Sequence, residues 1–323
     1  MKLKRILVLG GSGFIGRHLC EKAASLNCRV TVPTRRVENA KAVQPLPWVD
    51  VLQADVHDEA SLVRLVAGHD AVVNLIAILH GDVASFDHAH VALVQKLARA
   101  CQANGVSRLV HVSALGAAPD APSLYQRSKA QGEAVLAASS LDTTVLRPSV
   151  VFGAQDRFLN LFAKLQSVFP VMPLAGANAR FQPVWVQDVA QAITNALANR
   201  TPSHVLEPRV QARLFEACGP DVFTLRELVQ LAGRLSGHPR PVVGLAPWLG
   251  RLQARLMELA PGETLMSRDN LDSMSVDNVA SGVLPGLAEL GVAASALEAI
   301  APTYLRPGLS DPLLMRRRLS GRL

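Results

Sequence analysis

The stretch Ile6-Leu7-Val8-Leu9-Gly10-Gly11-Ser12-Gly13-Phe14-Ile15-Gly16 decides the fold. A short, wholly apolar run ends in glycines at 10, 13 and 16 and passes at once into an amphipathic helical pattern. Each glycine has a separate physical task. The first permits a tight turn, the second lets bare backbone approach a pyrophosphate, and the third lets the helix pack closely on the strand. The helix start then offers unsatisfied N–H groups and a positive dipole to an anion. Three glycines alone would equally fit an ordinary tight turn, so their meaning depends on the rest of the chain.

Beyond the turn the chain alternates. Apolar runs at Arg5–Leu9, Arg29–Val32, Val51–Ala54, Ala71–Ile76, Arg108–Ser113 and Thr143–Leu146 are interleaved with helical patterns from Phe14, from Glu59, near His90–Asn104 and from Tyr125 to about Ala138. Repeated βαβ units imply a parallel sheet, and continuous Val/Ile/Leu strands imply burial on both faces. The expected class is α/β, a Rossmann-type doubly wound parallel sheet with a smaller, mainly helical C-terminal cap. Residues 1–153 are predicted to form the dinucleotide-binding domain, with 182–200 returning to it. Residues 154–181 and 201–323 form the cap, which ends in a basic tail.

A chain of 323 residues, 49% hydrophobic and 18% charged, can bury a large core. Cys20, Cys28, Cys101 and Cys218 are widely spaced and suggest neither a disulfide framework nor a zinc site, so no metal is expected and a reducing cytoplasm fits. The N-terminal apolar run is too short for a signal peptide or a membrane span. The net charge of +7 hints at nucleic acid, but five arginines and one aspartate from Arg306 onward supply more than half of the excess. The run Arg316-Arg317-Arg318 reads as a solvated end, and no interleaved aromatics support base stacking.

The Gly-x-x-Gly-x-x-Gly spacing resembles that of short-chain dehydrogenase/reductases. At the end of the second strand, where an NAD site would offer a carboxylate to the ribose, stand Arg35 and Arg36, whose guanidinium geometry suits a 2′-phosphate. NADP(H) is therefore expected rather than NAD. Tyr125-Gln126-Arg127-Ser128-Lys129 puts a phenol and an ammonium on one helical face, where the cation would lower the tyrosine pKa for general acid/base work. The resemblance adds nucleotide contacts at Ser12, Phe14, Ile15, Asp55, Val56, Ala77 and Pro148, beside Gly10, Gly13, Gly16, Tyr125 and Lys129. It also implies a hydroxyl at the end of the fifth strand. Ser113 is the candidate, yet the place the extended members commonly use falls on Ala114, and losing such a donor costs on the order of 10²–10³ in rate.

Further stretches resemble a narrower group, atypical extended members related to the NADPH-binding accessory subunit of mitochondrial respiratory complex I and its bacterial relatives. These are His111-Val112-Ser113, the segment 123–133, Arg147-Pro148-Ser149-Val150-Val151-Phe152-Gly153, Asp156-Arg157-Phe158-Leu159-Asn160, the segment 182–190 and Ser267-Arg268-Asp269-Asn270. Three functions stay open. The first is an NADP(H)-dependent oxidoreductase acting on a hydrophobic carbonyl or quinone-like substrate. The second is a non-catalytic, NADPH-stabilised accessory protein of complex I, peripheral on the inner membrane. The third is a nucleotide-sugar epimerase/dehydratase.

Two apolar features lie beyond the nucleotide domain. Phe158, Phe162, Val168, Phe169, Val171 and Met172 read either as a substrate pocket or as cap core, while Arg157 and Arg180 keep a sugar diphosphate open. Leu245, Trp248, Leu249, Leu252, Leu256 and Leu259 recur at helical spacing. That stripe reads as packed on the cap core, or as a docking face for a membrane protein or a bilayer.

Overall fold

In a computed structural model, residues 3–24, 27–198, 212–259 and 265–306 are described. The basic run at 316–318 lies outside them. In chain order come β1 (Arg5–Leu9), α1 (Phe14–Ala24), β2 (Arg29–Thr34), β3 (Val49–Gln53), α2 (Glu59–Val66), β4 (Ala71–Asn74), α3 (Val83–Asp87), α4 (Leu93–Ala103), β5 (Arg108–Val112), α5 (Leu124–Ala137) and β6 (Asp142–Pro148). There follow β7 (Val151–Phe152), α6 (Leu159–Val168), β8 (Met172–Leu174), β9 (Arg180–Phe181), β10 (Val184–Trp185), α7 (Val186–Leu197) and β11 (Ala212–Ala217). The last elements are β12 (Phe223–Thr224), α8 (Leu225–Leu235), β13 (Val242–Gly244), α9 (Pro247–Leu259), α10 (Arg268–Ser273), α11 (Leu297–Ile300) and α12 (Pro302–Leu305).

The chain divides into two compact units, the first drawn from Met1–Pro148, Val186–Cys218 and Ala280–Ala293. Its seven-stranded parallel sheet runs β11-β6-β5-β4-β1-β2-β3. Strand order reverses between β1 and β4, and in such sheets the crevice outside the carboxyl ends of those two strands receives ligands. Side chains alternate across a strand, so Leu7, Leu9, Val72, Leu109 and Val145 pack with α2 and α4 in one core cluster. The opposite face of β1 is left to α1, which packs on α7. Burial on both faces explains why these strands read as continuous apolar runs.

Strand β11 corrects the expected boundary, which gives residues 201–323 wholly to the cap. Ala212–Ala217 runs parallel to β6 along six registered positions and forms the edge of the main sheet. Glu216 holds it in place by accepting from the backbone N–H and hydroxyl of Ser281, so a later segment also belongs to this unit.

The second unit takes in Ser149–Trp185, Gly219–Val279 and Ala294–Leu323. Helices α6 and α8 pack together over a core that includes Phe152, Phe162, Met172, Phe181 and Leu228. Helix α9 departs from the ordinary reading of its stripe. Its buried positions are Gly250 and Ala254, and the Trp/Leu stripe faces solvent.

Between α3 and α4, His88–Ala92 forms one π-helical turn, so the helix carries an extra residue there. The turn receives α5 at close range, since a Cβ on Gly132 would collide with the His90 carbonyl oxygen. Gly132→Ala should therefore lower stability by about 1–3 kcal/mol, the cost of overpacking where backbone cannot yield. Urea unfolding of the variant checks this, and an unchanged midpoint would contradict the packing described.

Candidate functional site

The glycine turn places bare backbone at the reversal point of the sheet. Gly10 has φ +77°, a left-handed conformation that disfavours side chains, and its carbonyl accepts from Gly13 N at 3.0 Å. Gly16 has no room for a Cβ, which would collide with the Gly10 carbonyl oxygen and Gly11. Gly13 is different. It is exposed, and a Cβ there would meet only Gly10 O within 4 Å, so its surface is open to an approaching group. Helix α1 starts at Phe14, directly behind this surface, with Ser12 and Ile15 partly exposed on either side. Such a cradle fits a dinucleotide pyrophosphate.

Arg35 and Arg36 follow β2, beside the turn, and both are exposed. Their backbone is pinned: Thr34 Oγ1 donates to Arg36 O at 2.9 Å and Gln53 Nε2 to Arg35 O at 3.3 Å. The local chain is thus fixed while the guanidinium groups reach outward. Asp55 lies past β3 and is also exposed, with Oδ1 accepting from His57 N at 3.0 Å, whereas Val56 is buried. Ala77, past β4, is exposed. Pro148 ends β6, and its carbonyl accepts from Leu115 N at 3.0 Å, which ties the segment after β5 to β6.

The Tyr125–Lys129 pair behaves differently from expectation. Lys129 is buried, and its Nζ donates to the Val112 carbonyl at 2.8 Å. Burial pulls its pKa down to about 8, opposed by the Glu133 carboxylate. Burial also pushes the Tyr125 phenol up to about 12. Burial is the cause of that rise, which runs opposite to the lowering expected from a neighbouring ammonium. Ser113 is buried at the end of β5, and its Oγ has no hydrogen-bond partner among the described residues. Ala114, beside it, is buried and brings no hydroxyl.

Sequence reasoning missed the groups that hold α5. Ile78 N donates to His90 Nε2 at 3.1 Å, which assigns the imidazole proton to Nδ1. Nδ1–H then donates to Ser128 Oγ at 2.8 Å, and that hydroxyl donates to the Tyr125 carbonyl at 2.8 Å. The chain links the loop after β4 to the helix turn bearing Tyr125, whose ring meets that of His90 edge-on at 5.6 Å. Ser128 sits inside the Tyr-x-x-x-Lys motif, but nothing in the sequence couples it to a residue 38 positions earlier. On the same helix the buried Glu133 carboxylate accepts from Arg147 Nε at 2.9 Å.

A second histidine lies on β5. Ile76 N donates to Asn74 Oδ1, so the Asn74 amide nitrogen faces His111 Nδ1, at 3.2 Å. That assignment leaves the His111 proton on Nε2, which is buried without a partner among the described residues. Burial and the nearby Lys129 charge keep His111 neutral, with its pKa well below the ordinary value.

The apolar residues read either as a substrate pocket or as cap core divide between core and surface. Phe162 and Met172 are core, and Phe158 packs edge-on against Phe162 at 5.3 Å. Val168, Phe169 and Val171 face solvent. Arg180 pairs with Asp277 at 3.4 Å. Among the described residues there is no cluster of three His, Cys, Asp or Glu that could hold a metal ion, and no helix long and apolar enough to cross a membrane.

Comparison with known proteins places this geometry in context. The sequence pattern of the NAD dependent epimerase/dehydratase family matches residues 6–206. The mouse mitochondrial protein NADH dehydrogenase [ubiquinone] 1 alpha subcomplex subunit 9 is 30% identical over 93% of this chain and 79% of its own length. The Arabidopsis thaliana protein of the same name is 33% identical over 69% of this chain, which spans 56% of that relative. Among solved structures, the dTDP-glucose 4,6-dehydratase DesIV of Streptomyces venezuelae, crystallised with NAD, superposes with a TM-score of 0.70. It shares 22% identity, with 98% of each chain covered.

The buried histidines make stability depend on pH in a definite direction. Burial, reinforced by Lys129, holds His90 neutral down to about pH 3, whereas in the unfolded chain it protonates near 6.5. Between these values the unfolded state binds the extra proton, so stability falls as the pH falls. His90→Gln should flatten the stability profile between pH 6 and 4 by about 1.4 kcal/mol per pH unit, the value of one proton. Urea titrations at several pH values read the slope, and a slope equal to that of the parent protein would refute the assignment.

Proposed function

We propose a function from one premise: the chain belongs to the NAD dependent epimerase/dehydratase family. It binds NADP(H) through the turn at 10–16, and the nucleotide is held as a stabilising ligand of an accessory protein more than it is turned over. The partner is a respiratory membrane complex of the kind named for the mouse relative. The observation that carries this reading is the state of the reacting groups. Lys129 is buried and donates to the Val112 carbonyl, burial raises the Tyr125 phenol to about 12, and Ala114 offers no hydroxyl.

Arg35 and Arg36 supply the preference for a 2′-phosphate, since both are exposed beside the turn on fixed backbone and two charge-assisted forks suit that group. Gly10, Ser12, Gly13 and Gly16 cradle the pyrophosphate with the start of α1. Asp55 and Val56 meet the adenine, and Ala77, Tyr125, Lys129 and Pro148 flank the nicotinamide half.

A second reading is favoured by Ser113. When bound, the dinucleotide supplies hydride chemistry, and the Ser113 hydroxyl, unpartnered among the described residues, is a donor able to orient a carbonyl oxygen while Tyr125 moves the proton. On that reading the chain is a slow oxidoreductase acting on a carbonyl or quinone-like compound.

Replacing both arginines (Arg35→Ala with Arg36→Ala) should weaken NADPH binding by tenfold or more, from the loss of about 1.5–3 kcal/mol per charge-assisted contact, and leave NADH binding almost unchanged. Calorimetric titration with both nucleotides measures this; equal losses for the two would remove the 2′-phosphate assignment. Hydride exchange between protein-bound NADPH and carbonyl compounds separates the two readings. Negligible exchange supports the accessory role, and exchange abolished by Tyr125→Phe with NADPH binding intact supports the oxidoreductase.

A further inference from the structure

Two histidines meet beside the end of β2 that carries Arg35 and Arg36. His57 lies in the turn between β3 and α2, and His88 opens the π-helical turn before α4. Their rings stack face to face, with centroids 4.1 Å apart and planes 16° from parallel. The His57 backbone is held on both sides: its N–H donates to Asp55 Oδ1 at 3.0 Å, and its carbonyl accepts from Lys96 Nζ at 2.8 Å. The His57 ring is half-buried, with Nδ1 closed off from solvent and without a partner among the described residues, whereas His88 is exposed.

Sheet register places this pair. Thr34 pairs with Gln53, and Ala54 N donates to the Thr34 carbonyl at 2.9 Å, so Arg35 leaves β2 beside Ala54, three residues before His57. Charges from four segments bear on His57: His88 from the π-helical turn, Asp55 from its own turn, Arg35 from the end of β2 and Lys96 from α4. The other carboxylates of these segments are Asp58, which accepts from Ser61 N, Glu59, which pairs with Arg99, and the exposed Asp87. Burial, and after it the charges of His88, Arg35 and Lys96, lower the His57 pKa, and Asp55 opposes them.

A phosphate held by Arg35 reverses that balance. It brings up to two negative charges to the side from which the arginine acts, and nearby negative charge favours the protonated imidazole. Repulsion between two imidazolium rings in contact limits the pair to one proton. We propose that His57 and His88 are specificity residues for the 2′-phosphate: the stacked pair takes up a proton when NADPH binds, so the preference for NADPH over NADH grows as the pH falls from 8 to 6. This rests on the assignment of Arg35 and Arg36 to the 2′-phosphate. NADH lacks that group and leaves the pair neutral. The sign follows from linkage, since a ligand that raises a pKa binds more tightly at low pH, by up to about tenfold for a rise of one unit.

Calorimetric titration of the full chain with NADPH and with NADH at pH 6, 7 and 8 tests it, repeated in two buffers of different ionisation enthalpy to count protons. Between pH 8 and pH 6 the ratio of NADPH to NADH affinity should rise about three- to tenfold more in the parent than in His57→Asn, and only the parent should take up the extra fraction of a proton. The 2′-phosphate itself titrates near about 6 in both proteins, so the difference between them isolates the imidazoles. His88→Asn removes the stack from the exposed side and should give the same loss. The melting temperature of each variant at pH 8 shows that it is folded. Parallel pH profiles for the parent and both variants, with NADPH still preferred, overturn the proposal and leave the arginine assignment standing. Absence of any NADPH preference at all three pH values overturns that assignment, and the proposal with it.

Discussion

Gly16 lies against the carbonyl of Gly10 so closely that no side chain fits between α1 and β1, and the site depends on that approach. It brings the start of α1 to the end of β1, beside the point where strand order reverses and the ends of β2 and β4 converge. Arg35 and Arg36 on one side and Ala77 on the other owe their position to it. Loss of the approach would separate the helix dipole and the open Gly13 surface, two features that bind an anion only when together.

Helix α5 carries the opposite kind of constraint, since its inner face is polar. Gln126, Ser128, Lys129 and Glu133 are all buried and each is partnered, through Ser123, His90, Val112 and Arg147 in turn. A buried polar network of this sort fixes geometry at high cost to any change. Here it fixes Lys129 toward a backbone carbonyl and leaves the Tyr125 phenol high. The motif that elsewhere signals proton transfer is therefore compatible with a held nucleotide, and Ala114 points the same way.

The parallel sense of β1, β2, β4, β5 and β6 was legible because strands buried on both faces are largely apolar and because glycine punctuation is local, whereas β3, at the sheet edge, is only half-buried. Helices α1 and α2 start at the residues from which helical periodicity is expected, Phe14 and Glu59. The features that stayed hidden depend on distant partners. The edge strand β11 reads as an ordinary amphiphilic run until β6 is beside it, and His90 looks like a residue of any helix until Ser128 closes the chain. The α9 stripe was visible, but its direction was not: periodicity shows that a helix has an apolar face, while Gly250 and Ala254 decide that this face turns outward.

The nucleotide itself tests the account most directly. Protein purified without added cofactor, then denatured, should release NADPH near one equivalent per chain, and the bound nucleotide should keep its redox state during incubation with carbonyl and quinone compounds. Release of NAD(H), or of no nucleotide by a protein that also fails to bind NADPH, would contradict the reading of the glycine turn with Arg35 and Arg36. Rapid oxidation of the bound NADPH would contradict its role as a held ligand.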